Sequence, residues 1–75
     1  MKLGKYKHYK GKYYEVLGIA KHSETLEDLV VYRTLYPNKL STLWVRPLAM
    51  FQGKVIVDGE EVERFTYVGD KEETL

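Results

Sequence analysis

The chain has 75 residues, a net charge of +1, and a composition that is 44% hydrophobic and 31% charged, enough for one domain and no second. It has no cysteine and only two histidines, His8 and His22, which excludes disulfides, thiol nucleophiles, cysteine-based zinc sites and a histidine-rich metal site. No apolar run reaches the length that spans a bilayer, and "MKLGKYKHYK" has no apolar stretch behind its charge to make a secretory leader, so a cytoplasmic protein without membrane association is expected.

Ten aromatic residues and many valines favour strands. "KYKHY" sets Tyr6 and His8 on one face, with Lys5, Lys7 and Tyr9 on the other. Gly11 in "KGK" supplies a tight turn. "YYEVLGIA" follows as a second strand, Leu17 and Ile19 facing one way and Tyr14 and Val16 the other, with a bulge or bend at Gly18. "LVVYRTLY" is the third: Leu29, Val31, Arg33 and Leu35 share one parity, and Val30, Tyr32, Thr34 and Tyr36 the other. Pro37 and Asn38 end it. "TLWVR" is a fourth strand, stopped by Pro47, and "PLAMF" a single helical turn with Pro47 at its first position. "KVIV", Asp58-Gly59 and "EEVERFTYV" form the clearest hairpin, since Asp-Gly between strands signals a type I′ turn.

The expectation is a mainly β domain over residues 1–68, with a polar, flexible tail over 69–75. Five or six short antiparallel strands of this length cannot cover both faces of a flat sheet, and bare edges invite association. A small, partly closed antiparallel barrel of the SH3-like kind, with one short helical turn, answers both problems. An α+β sheet with a short helix is the alternative, if "SETLEDLVVY" starts as helix.

Charge is laid out unevenly. Residues 1–12 hold five lysines and no acid, whereas residues 58–75 hold seven acids against Arg64 and Lys71. Either the lysines form a basic nucleic-acid face, or the first and last strands lie side by side and pair their charges. The second reading is the blander and is preferred.

Four groups of residues are candidates for chemistry. His22, Ser23 and Glu24 contain the residue types of nucleophilic catalysis, but neighbours in an extended segment point in opposite directions. A turn with Ser23 as N-cap and Glu24 and Glu27 in its first turn explains them better; a weaker role survives, with His22 and Glu24 binding a ligand at the barrel mouth. Arg33, Arg46 and Arg64 lie within strand-like segments and could each fork onto a carboxylate or phosphate. If Leu29, Val31 and Leu35 face the core, Arg33 must reach past it or pair with an acid; for Arg33 and Arg64 structural pairing is favoured, and for Arg46 the two roles weigh equally. Tyr6, Tyr9, Tyr13, Tyr14, Tyr32, Tyr36 and Trp44 are too many rings to bury, so some must be exposed as stacking surfaces. Met50 and Phe51 make either a partner patch or, the preferred reading, a plug for one end of the barrel.

"YKHYKGKYYEVLGIAKHSETLEDLVVYRTLY", "LWVRPLAMF" and "VERFTY" together closely resemble the bacterial domain-of-unknown-function sixteen-fifty-three family, over residues 6 to 67. The motifs are Tyr6-x-His8-Tyr9-Lys10-Gly11, His22-Ser23-Glu24-Thr25, Val31-Tyr32, Trp44-x-Arg46-Pro47 and Arg64-Phe65. The resemblance implies a stand-alone bacterial domain and brings no activity with it. From the residues themselves three functions are ranked. The first is a non-catalytic binding module using Tyr9, His22, Tyr32, Trp44 and Arg46, without a cofactor, for a peptide, a nucleotide-like molecule or a short single-stranded nucleic acid. The second is a small hydrolase or lyase with His22 as general base, Glu24 orienting it and Arg46 holding an anion. The third is a structural or accessory subunit, a homodimer included.

Overall fold

Asp58 and Gly59 both take positive φ, 52° and 80°, the two left-handed positions of a type I′ turn. They join β5 (Lys54–Val57) to β6 (Glu60–Glu63) as the Asp-Gly signal requires. At the other end of the chain, the Gly11 turn joins β1 (Gly4–His8) to β2 (Tyr13–Lys21), closed by hydrogen bonds from the Gly11 and His8 N–H groups to the His8 and Lys12 carbonyls. In the computed structural model residues 1–69 are described; beyond Gly69, the expected polar tail lies outside the described residues. β3 (Asp28–Thr34), β4 (Leu43–Pro47), the four-residue α1 (Leu48–Phe51) and β7 (Phe65–Gly69) complete the order.

The domain is mainly β and antiparallel, with one short helix. Five strands form one sheet in the order β4-β3-β2-β1-β7, and β5 and β6 form a separate ribbon. Among the described residues the two edges, β4 and β7, do not pair, so the barrel is not closed by its ladder. Its side chains close part of the gap. Phe65 on β7 and Tyr32 on β3 are three strand steps apart, about 14 Å in a flat sheet, yet their ring centroids are 6.0 Å apart. The sheet is therefore strongly curled, and Phe51 from α1 sits in the hollow.

Period-two alternation decides which residues line that hollow. On β3, Val30, Tyr32 and Thr34 are buried, which turns Leu29, Val31 and Arg33 to the other face. Arg33 therefore meets no core and pairs with Glu15, its partner across the ladder, at 2.6 Å. On β2 the register slips between Val16 and Gly18, so Leu17 is the extra residue of a bulge. Ile19 consequently stands opposite Val30, on the face of Val16 and not on that of Leu17 as the simple alternation predicts. Tyr6, Val16, Val30, Tyr32, Phe51 and Phe65 are the core; Phe51 and Phe65 stack at 4.0 Å, with Tyr6 and Tyr32 edge-on to Phe51. The helical turn is thus the expected plug: Phe51 is buried and Met50 exposed. Pro47 is its N-cap and the last residue of β4, one place earlier than expected.

β1 and β7 lie side by side, as the charge layout anticipated. The lysines nevertheless find rings instead of acids. Lys2 lies over Tyr67, Lys5 and Lys7 over Tyr13, Lys10 over Tyr9 and Lys12 over Tyr36, at 4.6–5.8 Å. Among the described residues no carboxylate is within 4.0 Å of these five ammonium groups. No helix among them is long and apolar enough to cross a membrane.

Candidate functional site

β4 lies against β3 so that Trp44 stands opposite Tyr32 and Arg46 opposite Val30. Both β4 side chains therefore lean over the hollow from its open edge. Tyr14 enters from β2, opposite Thr34, and Tyr36 from the segment beyond β3. The Tyr14 and Tyr36 hydroxyls are hydrogen-bonded at 2.8 Å, and the Trp44 indole N–H donates to the Ser41 carbonyl at 3.1 Å. With Asn38, these residues bound a cleft of about 220 Å³.

The charge of the cleft is that of Arg46. Burial, then the bond to Tyr36, pushes the Tyr14 hydroxyl well above its ordinary range, so it stays neutral. His8 adjoins the cleft, its ring 6.2 Å from that of Tyr14. Burial first, then the positive charges of Arg46, Lys10 and Arg64, holds its pKa below the usual value. Arg46 is half-buried, with its guanidinium carbon 5.7 Å from the centre of the Phe65 ring. Among the described residues it has neither a carboxylate within 4.0 Å nor a hydrogen-bond partner. The other two arginines are engaged: Arg33 with Glu15, and Arg64 through Nε with the Met50 carbonyl at 3.2 Å. A cation held against aromatic faces, beside phenolic hydroxyls and an amide, can take an anion through its fork while a planar group stacks on the rings.

Three of the five expected ligand-binding residues meet here: Tyr32, Trp44 and Arg46. Tyr9 lies beside the His8 ring at 4.6 Å, outside the cleft lining. His22 and Glu24 are at the far end of the β2–β3 ladder, which runs from Tyr14 opposite Thr34 to Lys21 opposite Asp28. Residues 22–27 turn without forming a helix. The capping atom is His22 Nδ1, which accepts the N–H groups of Glu24 at 3.1 Å and Thr25 at 3.3 Å, where Ser23 was the expected cap. Leu26 closes the turn at φ 64°, its N–H donating to the His22 carbonyl.

Tyr14, Tyr36 and Asn38 belong to the cleft and were not singled out as ligand residues. Parity offered a partial signal, because Tyr14 shares a face with Val16; Tyr36 and Asn38 reach the cleft through the path of the loop after β3, which carries no periodicity.

The sequence matches the model of the family described as a protein of unknown function (DUF1653) over residues 4–67. A crystal structure of a DUF1653 protein from Bordetella bronchiseptica is similar over 92% of this chain and 88% of that one, with 38% sequence identity and a TM-score of 0.88. No curated protein matches.

Proposed function

The chain belongs to the DUF1653 family of proteins of unknown function, and from that premise and the geometry of the cleft we propose that it is a non-catalytic binding module for a planar, anionic, nucleotide-like ligand. The observation that carries this reading is Arg46: a half-buried residue whose guanidinium lies over a phenyl ring, with no acid against it among the described residues. A partly desolvated charge that no acid neutralises carries a cost, and an incoming phosphate or carboxylate lowers it. Trp44 supplies the stacking face, with Tyr32 behind the cleft as part of its floor, and the Tyr14–Tyr36 hydroxyl pair supplies hydrogen bonds that do not compete for the charge. The lysines of β1 raise the local concentration of anions without contacting the ligand. In this reading His22 and Glu24 serve the turn and take no part in binding.

Trp44 is the chain's one tryptophan and reports directly on its own cleft. Nucleoside monophosphates should perturb its fluorescence saturably, and the parent nucleosides only weakly. Arg46→Gln should weaken binding about tenfold or more, the loss of a charge-assisted bond, and Arg46→Lys should recover part of it. If no nucleotide perturbs Trp44, or if Arg46→Gln binds like the parent protein, the reading fails.

A further inference from the structure

A second hollow, about 400 Å³, is lined in part by the stacked Phe51 and Phe65 rings and shares no lining residue with the Arg46 cleft. Its aromatic lining is Tyr6, Phe51, Phe65 and Tyr67, and its one acidic lining residue is Glu63. Tyr6 and Tyr67 meet edge to face at 5.2 Å, and Tyr67 is 39% exposed. Glu63 is the cross-strand partner of Lys54, but the Lys54 ammonium leans towards Glu61, at 4.0 Å. Among the described residues no cation is within 4.0 Å of the exposed Glu63 carboxylate. Aromatic faces carry negative potential, so a hollow whose lining holds both rings and a carboxylate selects for positive charge.

The chain itself already places such a charge on one of the lining rings. The Lys2 ammonium is 5.1 Å from the centre of the Tyr67 ring, and the Tyr6 hydroxyl donates to the Lys2 carbonyl at 2.7 Å, fastening the N-terminal segment beside the opening. We propose that the hollow bounded by Tyr6, Phe65, Tyr67 and Glu63 is a binding site for an alkylammonium ion, for which Lys2 is the internal competitor. It is independent of the Arg46 cleft. That cleft offers a cation to an anion, whereas this one offers rings and a carboxylate to a cation.

The probe is n-butylammonium, with n-butanol as its neutral counterpart, followed by NMR of the aromatic ring protons. The Phe65 and Tyr67 signals should shift saturably with the amine and not with the alcohol. Glu63→Gln should weaken the amine about fivefold, the upper range for one exposed ion pair. Tyr67→Leu should weaken it further, and Lys2→Ala should strengthen it by removing the competitor. Arg46→Gln should leave it unchanged, so failure here and failure of the nucleotide cleft are read separately. Equal shifts with butanol would show a merely apolar hollow and overturn the proposal. Unchanged affinity in Glu63→Gln, or weaker binding in Lys2→Ala, would do the same.

Discussion

Arg46 and His8 are neighbours whose charges oppose each other. The folded chain therefore prefers His8 neutral: burial, reinforced by Arg46, Lys10 and Arg64, holds its pKa below the ordinary 6.5. Unfolding releases the ring to its ordinary value. Stability from this site is thus complete above pH 6.5 and is lost as pH falls from there towards the lower folded value. Thermal unfolding followed between pH 5 and 8 should show Tm falling below about pH 6.5, with a shallower fall in His8→Gln. Arg46→Gln should raise the folded pKa of His8 in an NMR titration of its ring. An unchanged His8 titration in that variant would mean Arg46 does not reach it. At this scale the sequence was a fair guide to residue type and a poor one to grouping. Tyr32, Trp44 and Arg46 came together because parity on adjacent strands is legible; Tyr9 and His22 were joined to them by chemistry alone, and nothing in their spacing carried position across the sheet.

The elements repeat one device that residue statistics undervalue. His22 Nδ1 accepts the Glu24 N–H two residues on, and His8 Nδ1 accepts that of Lys10 in the same way, at 3.1 Å in both cases. A neutral imidazole does here what an Asn or Asp side chain does in an Asx-turn. Ser23 was the natural candidate because cap preferences rank serine high and leave histidine out. His22→Ala should therefore destabilise the domain by about 1 kcal/mol, the usual worth of a cap, while Ser23→Ala is nearly neutral. Chemical denaturation separates the two, and equal losses would return the cap to Ser23. At the opposite hairpin, a Cβ on Gly59 would meet nothing within 4 Å, so Gly59→Ala tests φ alone. It should cost about 1 kcal/mol or more through the left-handed backbone. That turn was legible because Asp-Gly encodes its own geometry. The β2 bulge was only half legible: Gly18 marked the place, but the reversal of Ile19 needed the register.

For the whole molecule, curvature is the property that local patterns could not supply. The strands, their antiparallel sense and the plugging turn are all written in periods of two and in turn residues. That Phe65 and Tyr32 would meet from three strand steps apart is written nowhere locally, and the curl that brings them together makes the hollow over which Trp44 and Arg46 lean. Phe51 is where that closure is concentrated, 1% exposed and in ring contact with Tyr6, Tyr32 and Phe65. Phe51→Ala should cost about 3–5 kcal/mol, against a total of roughly 4–11 kcal/mol for a chain of this size. Circular dichroism should find that variant largely unfolded or melting far lower; a melt within a few degrees of the parent would place the keystone elsewhere. The pairing of β1 with β7 has a further consequence, for how the protein is made. β7 is the last of the described strands to leave the ribosome, and it carries Phe65, which Tyr14, Tyr32, His8 and Phe51 all touch. At the usual pace of synthesis, roughly 3–12 s separate Tyr6 from Phe65. For that interval the nascent sheet keeps its aromatic face open along the β1 edge, and a chain arrested before Phe65 would stay exposed to proteases and chaperones.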